Sequence, residues 1–214
     1  MPKVASQKAL TPQQRAGRVW RTLSKLFPNA GMVLRYSNPW ELVVAVQLSA
    51  QCTDKKVNEV TVKLFQQFRT LEDYCSADAK IFERAIFSTG FYKNKTKNIL
   101  AAARMVRDVF GGTVPRTMED VLKLPGVARK TANVVLGNAY KVVDGIAVDT
   151  HVRRLSRRWG LTEHDNPVHI ERDLMKLFPR AHWLDLTYKM IDYGRTYCQA
   201  KKHNHALCPL ADLG

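Results

Sequence analysis

The apolar positions of this chain fall into short segments at helical spacing, and most of those segments carry their own start and stop signals. Thr11-Pro12-Gln13-Gln14 reads as a helix entry, with a threonine cap, a first-turn proline and a glutamine closing a capping box. Val19, Trp20, Leu23, Leu26 and Phe27 follow at helical intervals. Asn38-Pro39-Trp40-Glu41 repeats the device ahead of an apolar run from Leu42 to Leu48. Thr53-Asp54 caps a third segment whose stripe includes Val57, Val60, Leu64 and Phe65. Ser76 opens a further segment closed by Gly90, and another runs over 94–110 and stops at Gly111-Gly112. Thr117 caps 118–123, and Asp149 caps 150–159 with Gly160 behind it. Two more helices are predicted over 167–177 and 183–193. The valine runs around Val142 and Val148 are too brief and isolated to build a sheet. The pattern predicts an all-α protein of about ten helices.

Charge narrows the field of partners. Thirty-four basic residues stand against 19 acidic ones, a net charge of +15. Such an excess repels itself in a compact fold unless a polyanion compensates it, and nucleic acid is the commonest one. No apolar run approaches the length of a membrane span. Residues 1–40 carry no acid, as in a transit peptide, but the helix entry at Thr11 assigns them to the fold. Cys52, Cys75, Cys198 and Cys208 do not form the pattern of a secreted disulfide framework. The expectation is a bacterial-type cytoplasmic protein, nucleoid-associated if its partner is DNA, and monomeric.

The segment richest in chemistry is Leu122-Lys123-Leu124-Pro125-Gly126-Val127-Ala128-Arg129-Lys130-Thr131-Ala132. A helix ends, a tight Pro-Gly turn follows, and a second helix begins at once. The unpaired N–H groups of the new helix, with the positive end of its dipole behind them, form a phosphate site. Such a site grips a DNA backbone without reading its sequence. The turn alone fits an ordinary helical corner equally well. Lys130 in the first turn adds chemistry, because the dipole disfavours a second positive charge there and so favours a neutral, nucleophilic amine. Asp149 caps a later helix. Taken singly, the two residues read first as a solvated surface lysine and a plain capping acid.

Together these segments resemble the helix-hairpin-helix, Gly/Pro-loop, Asp superfamily of DNA glycosylases, and within it endonuclease III. The resemblance rests on the hairpin stretch continued through Asn133-Val134-Val135-Leu136, on Ala147-Val148-Asp149-Thr150-His151, and on Leu48-Ser49-Ala50-Gln51-Cys52-Thr53-Asp54. Gly90-Phe91-Tyr92-Lys93-Asn94-Lys95, Tyr193-Gly194-Arg195 and Cys198 fit as well, so it extends from about Gln14 onward. The resemblance implies two helical domains with a DNA-binding cleft between them: 32–142 with the hairpin, and a discontinuous domain of 1–31 and 143–214. It implies Lys130 as nucleophile and Asp149 as essential carboxylate. Gln51 would fill the gap left by an extruded base, Phe91 would wedge between bases, and Gly126, Val127, Ala128 and His151 would contact DNA. The implied activity is that of a bifunctional DNA glycosylase and abasic-site lyase of base excision repair, removing oxidised pyrimidines from double-stranded DNA. A glycosylase for adenine or mismatched thymine is a second reading, disfavoured by Lys130. A non-catalytic module using the hairpin only as a phosphate clamp is a third.

Three features depart from the family. Ala128 stands where glycine is usual, which is strained by about 1 kcal/mol if that position needs φ > 0. The loop between Lys130 and Asp149 is one residue longer, an insertion expected to be absorbed over 141–144. Typical members carry an iron–sulfur cluster on four cysteines spaced C-x6-C-x2-C-x5-C. Those positions here are Cys198, His205, Cys208 and Gly214, so only two thiolates remain and no four-iron cluster is expected. The leading expectation is a tail without metal, packed by Leu207, Leu210 and Leu213. Zinc on Cys198, His203, His205 and Cys208 is the alternative, although C-x4-H-x-H-x2-C is not a standard finger.

Overall fold

The computed structural model describes residues 10–213, and the regular structure among them is helical, with no strand. In chain order the helices are α1 (Pro12–Leu26), α2 (Pro39–Leu48), α3 (Asp54–Gln67), α4 (Leu71–Cys75), α5 (Ala79–Ile86) and α6 (Tyr92–Asp108). They continue with α7 (Met118–Val121), α8 (Arg129–Tyr140), α9 (Thr150–Arg158), α10 (Pro167–Leu177) and α11 (Trp183–Thr196). Two compact units result among the described residues, one of residues 32–144 and one joining residues 10–31 to residues 145–213.

The unit of 32–144 is organised around α2, which is buried from Trp40 through Leu48 and packs on α8 and α6. A helix apolar on every side belongs in a core, and that is where this one lies. Its two buried polar groups have partners. Glu41 accepts hydrogen bonds from the Ser37 amide and hydroxyl, both at 2.6 Å, and Gln47 donates to the Pro125 carbonyl at 3.1 Å. Trp40, Phe68, Tyr74 and Phe82 form an edge-to-face aromatic cluster beside it.

Most helix entries follow from local chemistry. Thr11 and Gln14 form the capping box, and the side chains of Asn38, Thr53, Thr117 and Asp149 each accept an amide hydrogen bond at the helix starts assigned to them. The stretch after α3 differs from expectation. Thr70 and Asp73 build a capping box that starts α4, and Ser76 ends that helix rather than opening the next. The Asp78 carboxylate, which accepts from the Ile81 amide at 2.9 Å, caps α5 instead. Helix α6 begins two residues before the expected 94, because Phe91 in the left-handed region turns the chain into it.

In the other unit, Val19 and Leu23 of α1 pack with Val152, Leu155 and Trp159 of α9, Ile170 and Leu174 of α10, and Leu186, Met190 and Tyr193 of α11. Each such aliphatic side chain contributes about 1.5–3 kcal/mol on burial. The tail is fastened by polar contacts. The Arg15 guanidinium donates to the Leu213 carbonyl at 2.8 Å and the Trp159 carbonyl at 3.3 Å, while the Tyr193 hydroxyl accepts from the Leu210 amide at 3.0 Å.

Candidate functional site

The hairpin joins the end of α7 to α8. Gly126 at its apex has φ +77°, and a Cβ there would stand 2.6 Å from Gln47 Oε1 and 2.8 Å from Asn98 Cβ. Only glycine satisfies both the backbone and the space. Gln47 and Asn98, which nothing in the spacing singled out, are thus the walls against which the turn is set. Ala128 has φ −96° and extended geometry, so alanine there meets no left-handed strain. Gly126 and Ala128 are exposed, whereas the Val127 side chain is buried and its N–H donates to the Leu124 carbonyl at 3.0 Å. Val127, expected among the DNA contacts, thus uses its amide to close the turn. Helix α8 begins with no capping side chain, and Lys130 lies half-buried in its first turn.

Gln51 and Phe91, expected at the extruded base, lie on two loops of the same unit. Both take left-handed backbone, φ 53° and 48°, and Phe91 remains 64% exposed. Non-glycine residues in that region are strained by about 1–2 kcal/mol each and persist only where the surroundings hold them. A large apolar ring held toward solvent gains little from folding. Lys95 ties the two loops together. Its buried Nζ donates to the Leu48 and Thr89 carbonyls, each at 2.8 Å, and burial pushes its pKa below the ordinary lysine value.

In the unit of both chain ends, Asp149 opens α9, its Oδ1 accepting from the Val152 amide at 2.8 Å. The same first turn carries His151, half-buried against α11, where any side chain on Gly194 would collide with its Nδ1. Arg154 Nη2 lies 3.4 Å from that nitrogen. Burial pushes the His151 pKa below 6.5, Asp149 opposes the shift, and Arg154 and Arg195 reinforce it. Arg153, Arg154, Arg157 and Arg158 make α9 strongly basic, with Arg153 and Arg157 paired to Asp165.

The tail after α11 gathers a second constellation. Cys198 and Cys208 are buried, His203 and His205 are half-buried, and their four donor atoms all lie within 4.8 Å of one another. This convergence runs against the expectation of a metal-free tail. Leu210 and Leu213 do pack inward, but Leu207 is 78% exposed and packs nothing. The donor set, two thiols and two imidazoles, does not fit a four-iron cluster, which takes four cysteine thiolates. Gly214, at the fourth family position, lies outside the described residues. None of the described helices is long and apolar enough to cross a membrane.

A glycine hairpin with a lysine in its second helix, and an aspartate capping a later helix, are the features to set beside known proteins. Residues 44–180 match the profile of the HhH-GPD superfamily of base excision DNA repair proteins. Endonuclease III of a Synechocystis species is 47% identical over 207 residues, covering 97% of this chain and 94% of that protein. Endonuclease III of Bacillus subtilis is 45% identical, covering 89% of this chain and 87% of its own. The solved structure of a trapped endonuclease III–DNA covalent intermediate superposes with a TM-score of 0.91 at 43% identity, over 96% of each chain. The chain belongs to the endonuclease III family. It is a base excision repair enzyme, a DNA glycosylase and abasic-site lyase that acts on double-stranded DNA.

Proposed function

We propose that Lys130 is the nucleophile and Asp149 the assisting carboxylate, and that the bases removed are oxidised or ring-saturated pyrimidines. The observation that carries this reading is Lys130 in the first turn of a helix without a capping side chain, directly behind a glycine hairpin. A relative 43% identical has been trapped covalently on DNA, which supports covalent chemistry here.

A base inside the duplex is out of reach, so the nucleotide turns outward at an unstacking cost of a few kcal/mol. Gln51 and Phe91 offset that cost by filling the gap. The Lys130 amine attacks the sugar C1′, forming a C–N bond as the bond to the base breaks and the base leaves with its electron pair. Asp149 stabilises the positive charge that develops on the sugar and assists the proton transfers. The C1′–O4′ bond then breaks, the sugar oxygen taking up a proton, and leaves a Schiff base between Lys130 and C1′. This acidifies the C2′ proton, whose loss expels the 3′ phosphate by β-elimination. One amine thus accounts for both activities. Glycosylases for adenine or mismatched thymine, and non-catalytic clamps, do not need a lysine at this position. Two of the four cluster positions are His205 and Gly214, so this reading includes the absence of a four-iron cluster. With bacterial relatives, its place of action would be the nucleoid of the cytoplasm.

Borohydride trapping tests the assignment. The wild-type chain should become covalently attached to duplexes carrying an abasic site or an oxidised pyrimidine, and Lys130→Gln should abolish attachment while leaving DNA binding in place. Asp149→Asn keeps a capping side chain and should leave thermal stability nearly unchanged while base excision falls at least about a hundredfold. Undiminished trapping by the first variant, or activity loss that merely follows unfolding in the second, would refute the respective role.

A further inference from the structure

We propose that Cys198, His203, His205 and Cys208 form a binding site for one zinc ion, in the part of the chain where related proteins hold an iron–sulfur cluster. Cys198 Sγ lies 3.8 Å from His205 Nδ1, Cys208 Sγ lies 3.4 Å from His203 Nε2, and no pair among the four donors exceeds 4.8 Å. A tetrahedral zinc ion, with bonds of about 2.3 Å to sulfur and 2.0 Å to nitrogen, sets its ligand atoms about 3.3–3.8 Å apart. These two contacts fall at that spacing, and the widest pair needs to close by only about 1 Å. A four-iron cluster distributes its ligands over four metal atoms and therefore holds them farther apart than one ion does. Both the number of thiolates and the spacing here belong to a single ion.

The hydrogen bonds around the quartet point the same way. His203 Nδ1 lies 2.9 Å from the Lys201 carbonyl, which can only accept. The ring proton is therefore on Nδ1, and the bare lone pair of Nε2 is aimed at Cys208 and its neighbours. A backbone carbonyl orienting the distal nitrogen of an imidazole is the usual support of a metal-ligating histidine. Two thiolates balance a divalent ion and the imidazoles are neutral, so the loaded site adds no charge to a basic protein. Two thiolates and two imidazoles at tetrahedral spacing suit zinc better than the oxygen-seeking ions.

Little else closes the loop: Cys208 Sγ donates to the Tyr197 carbonyl at 3.4 Å, and Asn204 caps the turn over His205–Leu207. From Gln199 to Leu207 the chain is exposed apart from His203 and His205, and it buries no apolar side chain. Its ends are fixed, since Arg154 donates to the Cys198 carbonyl at 2.7 Å and the Leu210 amide donates to Tyr193. Zinc would close the loop between those ends, tying the tail to α9 and α11.

The untagged chain, purified under reducing conditions without chelator, should contain about one zinc ion per chain and no acid-labile sulfide. Cobalt(II) exchanged into it should show the visible d–d and sulfur-to-metal absorption of a tetrahedral thiolate site. A strong chelator should lower Tm. His203 lies at the surface of the loop, so His203→Ala should remain folded by circular dichroism, lose most of the zinc, and lose the chelator effect on Tm. Cys208→Ser serves as the second variant. Iron with matching sulfide would overturn the proposal. So would a folded wild-type chain without metal, whether its cysteines are free or joined, or full zinc content in both variants. Metal content is read independently of borohydride trapping, so the catalytic assignment and the metal site stand or fall separately.

Discussion

At the scale of single residues, Lys95 shows how a group with no chemistry of its own serves the site. Its ammonium group holds the Leu48 and Thr89 carbonyls together, and these lie just before the left-handed residues Gln51 and Phe91. Lys95→Met retains the apolar stem but leaves two carbonyls without their donor, which should destabilise the fold by about 2 kcal/mol. Base excision should fall further than binding to undamaged DNA, since the two loops would relax from their strained backbone. Equal losses of both, in proportion to the unfolded fraction, would reduce Lys95 to a structural residue. Lys130 and Asp149 could be picked out from the sequence because each lies inside a short recognisable stretch. Lys95 lies within such a stretch too, but one of its partners is 47 residues away and spacing does not reveal it.

At the scale of elements, the hairpin between α7 and α8 depends on a single glycine. Gly126→Ala would place a methyl group against Gln47 and Asn98 at a residue whose φ is +77°, so the turn must open. A loss of roughly 1–3 kcal/mol in stability is expected, with weaker binding to undamaged DNA as the α8 amides are displaced. Denaturant melts and an affinity titration check both, and a variant that binds and melts like wild type would remove the hairpin from the interface. Ala128, two residues on, has negative φ, which is why alanine can stand where the family usually has glycine. Helices with strong caps were readable, whereas α4 was not: its five residues are too few to show a period, and the capping box of Thr70 and Asp73 was its only signal.

At the scale of the whole molecule the dominant quantity is the charge of +15. That figure already counts every acid, Asp165 paired with Arg153 and Arg157 among them, so the whole excess is left to external anions. Binding to undamaged duplex should therefore weaken linearly in log–log form as salt rises. Release of about four or more counterions corresponds to roughly a hundredfold loss of affinity between 50 and 200 mM salt. Affinity that stays level across that range would contradict an interface dominated by the phosphate backbone.

The sequence by itself determined the helical class, most helix starts, the Pro125–Gly126 turn and the positions of Lys130 and Asp149. Each of these rests on residues within about one turn of one another, where capping and backbone preference act. Tertiary structure decided which side chains became walls, ties and ligands. Gln47 and Asn98 close on Gly126 from α2 and α6, the Val127 amide turns inward, and Lys95 joins two loops. His203, which occupies none of the family's cysteine positions, comes within reach of Cys208 and completes a four-donor set. Contacts of this kind depend on where the packed helices bring the chain back to itself, and no local pattern carries that information.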